Sequence, residues 1–222
     1  MFTTLTIKFK DGRQPYQLKR LSVVPSDQQE SHLVTRVNAD LHDSQTTTVF
    51  RAEHNARQDS TLLDELALKV IYGPRESDLA RALRHEFDVY DTNLKALQGN
   101  VVPCCHGLFE GETASGFVSC LVLDYAGETS FLLLEELSME YRLDILESLM
   151  AIHDAGLEHG DFTDINVVFD EQQKPWIIDF ENARPHDCDY DLYITEGARA
   201  PLFSEFGCRE IWDFCIEVDI WR

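Results

Sequence analysis

The sequence predicts an α+β fold, in which a strand-rich first half gives way to a helix-led second half. Three observations carry this. The first half alternates apolar and polar residues in short runs, broken by turn signals such as Asp11-Gly12 and Gly73-Pro74. One helical stripe, Leu79, Leu83, Phe87, Tyr90, Leu94 and Leu97, interrupts those runs. A second helical face, Met139, Leu143, Leu146, Leu149 and Met150, opens the second half.

Taken in order, residues 5–9 alternate and lead into Asp11-Gly12, so a return strand is expected over 17–24. Strands are expected over 33–37 and 46–52, joined by the polar stretch 38–45. Residues 66–72, LALKVIY, are the strongest strand candidate, stopped by Gly73-Pro74. The helix that follows runs to Gly99, and FVSCLVLDY at 117–125 is another apolar strand. Gly156 stands where a C′ glycine would end the second helix. Residues 167–169 and 176–179 are two short strands around a polar turn, hence a hairpin. A last helix is expected near 209–220.

A chain of 222 residues with 44% hydrophobic residues can bury a sizeable core. Forty acidic against 19 basic residues leave a net charge of −21, which disfavours nucleic acid and anionic membranes as partners and favours basic or cationic ones. There is no apolar run of membrane-spanning length and no signal-peptide pattern at the start. The six cysteines contain no C-x-x-C pair, so they read as free thiols in a reducing compartment, cytosol or nucleus. The densest metal-ligand grouping, Cys104-Cys105-His106, has poor spacing for chelating zinc.

Lys69 lies inside an apolar strand, where a cation needs an anionic partner or a route to water. Glu86 shares the inward stripe of the next helix. Each alone also reads as a residue at the edge of its element. Together they suggest an ion pair aiming a lysine at something negative, such as a phosphate. Downstream, Asn166 precedes the first hairpin strand and Asp179 closes the second, so the two converge, with Asp161 just upstream. Hard oxygen donors of this kind suit Mg²⁺ held against substrate phosphates; turn capping is the plainer role for Asp161 and Asn166.

The segment His159-Gly160-Asp161 followed by Asn166, then Ile178-Asp179-Phe180, resembles the catalytic loop and metal motif of the protein kinase-like superfamily. LALKVI is similar to that fold's lysine strand, and Glu86 falls where the partnering helix glutamate is expected. LVLDYAG at 121–127 looks like the last strand and hinge. The glycine after the histidine is similar to aminoglycoside and choline kinases, and the rest resembles divergent fungal kinase-like proteins. The resemblance implies a bilobal fold: an N-lobe over 1–124, an antiparallel sheet with one main helix, and a shortened, mostly helical C-lobe over 125–222. It implies an ATP- and Mg²⁺-dependent phosphotransferase acting on a hydroxyl acceptor, a protein Ser/Thr or a small molecule. Asp161 would be the catalytic base, Lys69 would contact phosphates and Glu86 would orient it. Asp124, Tyr125 and Ala126 would flank the nucleotide base, and Asn166 and Asp179 would hold the metal. His159 reads as a brace for the loop. Two departures stand out: residues 43–50, the expected phosphate loop, contain no glycine, and Thr163 replaces a basic residue. They favour the alternative of a pseudokinase, a nucleotide-binding or protein-interaction module without turnover.

Overall fold

Burial alternates along the strands of the first half, and that alternation builds a barrel. A computed structural model describes residues 2–21, 31–44, 46–54, 65–190 and 193–222. Strands β1 (Thr4–Lys8), β2 (Tyr16–Arg20), β3 (His32–Asp43), β4 (Thr47–His54), β5 (Glu65–Tyr72), β6 (Cys105–Thr113) and β7 (Gly116–Asp124) close in the order β1-β2-β6-β7-β5-β4-β3. Every second residue points inward, so Leu5, Ile7, Leu18, Phe50, Leu66, Leu68, Val70, Phe109, Cys120 and Val122 share one core.

The expected antiparallel sheet needs correcting. The closing pair, β1 with β3, is parallel, with Thr4 opposite His32 and Lys8 opposite Arg36. Strand β3 also takes up much of the polar stretch expected to be a loop. It is 12 residues long, and its register with β4 shifts between Val37 and Ala39 and between Asp40 and His42. Such bulges bend a strand and increase its twist. Residues 32–36 of β3 pair with β1 and residues 35–43 with β4, which closes the barrel. The expected return strand stops at Arg20, and residues 22–24 lie outside the described residues.

Strand β6 has no counterpart in the expectations, because Gly107 and Gly111 break its alternation. Gly107 (φ +128) has a backbone conformation that strains any residue with a Cβ; the Arg20 guanidinium packs over it, and Arg20 Nη1 donates to His106 O at 2.5 Å. Helix α1 (Asp78–Asp91) is shorter than its apolar stripe. The chain leaves helical geometry at Thr92 (φ −111, ψ −87), and a 3-10 turn over Asn93–Ala96 keeps Leu94 buried.

The remaining elements are β8 (Glu128–Thr129), α2 (Met139–Asp154), β9 (Leu157–Glu158), β10 (Val167–Phe169), β11 (Pro175–Ile177), β12 (Arg184–Pro185), α3 (Phe203–Phe206) and α4 (Arg209–Glu217). Helix α2 buries Ile145, Leu146, Leu149, Ile152 and His153, and Gly156 (φ +81) ends it as expected. Strands β10 and β11 form the expected hairpin, Val167 opposite Ile177, with β8 on the free side of β10. No helix among the described residues is long and apolar enough to cross a membrane.

The chain divides into two compact units, Met1–Asp88 with Cys104–Tyr125, and Val89–Pro103 with Ala126–Arg222. Residues 89–103 thus belong with the second unit, although a single cut at 124/125 assigns them to the first. The reason is packing: Tyr90 meets Phe180 edge-on at 5.6 Å, and Ile177 N–H donates to Val101 O at 3.1 Å.

The hairpin turn rests on Asp170. Its Oδ1 accepts the N–H groups of Gln172 and Lys174, both at 2.9 Å, and its Oδ2 accepts Trp176 Nε1 at 3.1 Å. Burial pushes this carboxyl up, but the Lys174, Trp176 and Gln172 bonds outweigh it and hold the group below the usual aspartate range. A depressed carboxyl contributes stability above its unfolded value and loses it as pH falls through the folded one. Asp170→Ala is therefore expected to cost about 1.5 kcal/mol near neutral pH. The gap from wild type should begin to narrow as pH falls below the ordinary value of 3.8 and shrink further through the lower folded value, read from urea unfolding at a series of pH values.

Candidate active site

In the first unit, Lys69 sits on β5 between the core residues Leu68 and Val70, so its side chain leaves the barrel on the outer face. Its Nζ donates to Glu86 Oε2 on α1 at 2.9 Å, and the Glu86 side chain is only 1% exposed. A second ionic tie joins α1 to β6: Arg84 Nε donates to Glu110 Oε1 at 2.9 Å, with Ser119 Oγ donating to the same oxygen at 3.2 Å. The helix is thereby held to the sheet by charge as well as by Ala80, Leu83 and Phe87, all buried.

The hinge residues are engaged within their own unit. Asp124 Oδ1 accepts His106 Nε2 at 2.6 Å, and Asp124 N–H donates to Cys104 O. Tyr125 N–H donates to Glu65 O, and the Arg51 guanidinium lies 4.2 Å from its ring centre. Ala126 belongs to the second unit and is half-buried. The turn standing for a phosphate loop closes on itself. Ser44 N–H and Oγ both donate to Thr47 O at 2.9 Å, and Thr47 N–H donates back to Ser44 Oγ at 3.0 Å. Gln45 lies outside the described residues.

In the second unit the loop 159–166 is braced at both ends. His159 is fully buried and donates through Nε2 to Ile178 O at 2.9 Å. Phe162 and Phe180 pack against its ring. It is a brace, with its ring committed to the backbone beside Asp179. Asn166 is buried; its Nδ2 donates to Asp161 O at 2.8 Å, and its own carbonyl accepts Ile178 N–H at 3.0 Å. One residue thus links the Asp161 loop to the strand end that presents Asp179. Asp179 itself adopts φ +69, a left-handed conformation that aspartate tolerates better than most residues. Because Asn166 Nδ2 is committed to Asp161, its Oδ1 is the atom that Asn166 could offer a cation, a hard oxygen of the kind Mg²⁺ takes.

A family model described as APH, phosphotransferase enzyme family, matches residues 7–211. The chain belongs to the APH phosphotransferase family. Comparison with curated proteins gave no match. The kinase-like superfamily read from the His159–Asn166 and Asp179 motifs is therefore the right one, and the APH match takes in both units.

Two features of this APH site become visible only in three dimensions. Gly160 (φ +80) packs against the carbonyl of Asn182, where any Cβ would collide, so the residue after the histidine must be glycine in this chain. Glu210, in the first turn of α4, clamps the loop from outside. Its Oε1 accepts Gly160 N–H at 2.8 Å, and its Oε2 accepts His159 N–H at 2.9 Å and His153 Nε2 at 2.7 Å. Burial raises the Glu210 carboxyl, but those donors outweigh it and lower it below its ordinary value. Burial likewise opposes charge on His153, while hydrogen bonds with Cys208 and Glu210 raise the imidazole to about 9. The only local signal for Glu210 was an acidic residue at a helix start, the commonest of surface patterns.

The buried Lys69–Glu86 pair generates a stability prediction. Removing one partner of a buried ion pair typically costs about 3–5 kcal/mol, whereas replacing both with apolar residues is often neutral. Lys69→Met is expected to fall in that range by urea unfolding, and the double variant Lys69→Met with Glu86→Leu to recover most of the loss.

Proposed function

We propose that this chain transfers the γ-phosphate of ATP, with Mg²⁺, to a hydroxyl acceptor, either a protein Ser/Thr or a small molecule. The observation that carries the reading is Asn166, which ties the carbonyl of Asp161 to the strand end bearing Asp179. The family supplies phosphotransfer, and this linkage supplies the reason for these particular residues.

Lys69, oriented by Glu86, contacts the α- and β-phosphates. Asp161 accepts the proton of the acceptor hydroxyl as the new P–O bond forms. Asn166 and Asp179 hold Mg²⁺, which supplies charge neutralisation on the phosphates. Asp124, Tyr125 and Ala126 flank the base. In such transfer the protein contributes positioning and charge rather than covalent chemistry. The two compact units correspond to the N- and C-lobes of this reading. The free state of all six cysteines supports a reducing compartment, cytosol or nucleus.

A second reading, a pseudokinase that binds nucleotide or a protein without turnover, is favoured by one observation. The turn at Ser44–Thr47 spends the N–H groups of both residues on itself, whereas a phosphate loop keeps backbone donors for its ligand.

Thermal unfolding with ATP, with and without Mg²⁺, separates the two. A ligand that binds only the folded state stabilises it by roughly 2.7 kcal/mol at a hundredfold excess over Kd. The enzyme reading expects a Mg²⁺-dependent shift that Asp179→Ala abolishes. It also expects ATP turnover that Asp161→Ala removes while the shift survives. A shift without turnover for any acceptor class selects the pseudokinase, and no shift at millimolar ATP rejects nucleotide binding altogether.

A further inference from the structure

Behind Glu210, away from the residues assigned to phosphotransfer, lies a second cluster. His153, His186, Cys188 and Cys208 each offer one ligand atom, and those four atoms all lie within 4.8 Å of one another. They come from three separate parts of the second unit. His153 is in the last turn of α2, His186 and Cys188 follow β12, and Cys208 is the N-cap of α4. His153 and Cys208 are almost completely buried, His186 and Cys188 half-buried.

We propose that these four side chains form a structural zinc site of two imidazoles and two thiolates. The donor set is the mixed nitrogen–sulfur kind that selects zinc over harder cations. Distance supports it. A tetrahedral zinc with bonds of about 2.3 Å to sulfur and about 2.0–2.1 Å to nitrogen sets sulfur and nitrogen about 3.6 Å apart. Cys208 Sγ lies 3.5 Å from His153 Nδ1. The rings of His153 and His186 meet edge-on with centres 5.0 Å apart, as two ligands converging on one point would. His186 Nε2 is buried and has no hydrogen-bond partner among the described residues, which leaves it available as a donor.

The surroundings match as well. His153 turns Nδ1 toward Cys208 and donates its other nitrogen, Nε2, to Glu210 Oε2 at 2.7 Å. A metal-bound histidine characteristically donates its second N–H to a carboxylate, which fixes the tautomer and the ring orientation. Binding releases the protons of both thiols and the Nδ1 proton of His153, so that two thiolates balance the charge of Zn²⁺ beside two neutral imidazoles. Four protein ligands leave no open position, so the site is structural. Its effect reaches the phosphotransfer loop through Glu210, whose remaining bonds hold the His159 and Gly160 amides. The zinc assignment does not depend on the phosphotransfer reading.

The test uses the full chain, purified under reductant from zinc-supplemented medium. Elemental analysis should find one zinc per chain, and Cys188→Ser and Cys208→Ser should each lose nearly all of it. If a cysteine variant fails to fold, the wild type still decides. X-ray absorption at the zinc edge should show two sulfurs at about 2.3 Å and two nitrogens at about 2.0–2.1 Å. Cobalt-exchanged protein should show thiolate charge-transfer absorption with tetrahedral ligand-field bands. Chelation should lower the unfolding midpoint and speed hydrogen exchange at the His159 and Gly160 amides. Four results would each overturn the proposal: soluble wild type essentially free of zinc, zinc retained by both cysteine variants, a metal shell without sulfur, or a Cys188–Cys208 disulfide in freshly isolated reduced protein.

Discussion

The loop that carries Asp161 owes its shape to a single carboxylate. Glu210 has two oxygens and receives three donors, from His153, His159 and Gly160, in a site where its side chain is only 13% exposed. Hydrogen bonds to a buried charged group are individually worth more than neutral ones, and three on one carboxylate make its position rigid. Two of the donors are consecutive backbone amides, so Glu210 fixes the peptide plane immediately ahead of Asp161. His159 and Asn166 then fix the same loop to the residues beside Asp179. The loop is held from both directions by polar contacts, and no long stretch of regular structure is needed.

The first unit solves a different problem with similar means. A closed barrel satisfies every strand edge, but its outer face still needs a cover whose position is specified. Apolar burial of Ala80, Leu83 and Phe87 is non-directional and would tolerate sliding of α1. The two ionic ties, Lys69 with Glu86 and Arg84 with Glu110, do not, because each places a nearly buried carboxylate opposite one cation. Specificity bought by buried charge is the best-attested use of such pairs.

Membership of the APH family and the self-closed turn at Ser44–Thr47 pull in different directions. In the second unit His159 and Asn166 are buried and hydrogen-bonded, while the turn of the first unit contains no glycine. The turn and the loop belong to different compact units, so each can be altered without the other.

Sequence alone determined the elements whose signal is local. The hairpin over β10 and β11, the stop of α2 at Gly156 and the Lys69 strand were legible because alternation, helical stripe and turn residues each act over a few neighbours. The superfamily was legible for a related reason: catalytic motifs keep spacing as well as residue type. Tertiary structure alone decided what depends on residues far apart in the chain. The parallel closure of β1 on β3 joins strands that are not consecutive in the chain, so no local pattern announces it. Strand β6 hides behind two glycines, Gly107 beside the Arg20 guanidinium and Gly111 beside Gln17 and Leu18, all distant in the chain. Glu210 and the His153, His186, Cys188, Cys208 group are ordinary polar residues until the fold brings three stretches of chain together. Local pattern reports which face a residue occupies; only packing reports which distant residue shares it.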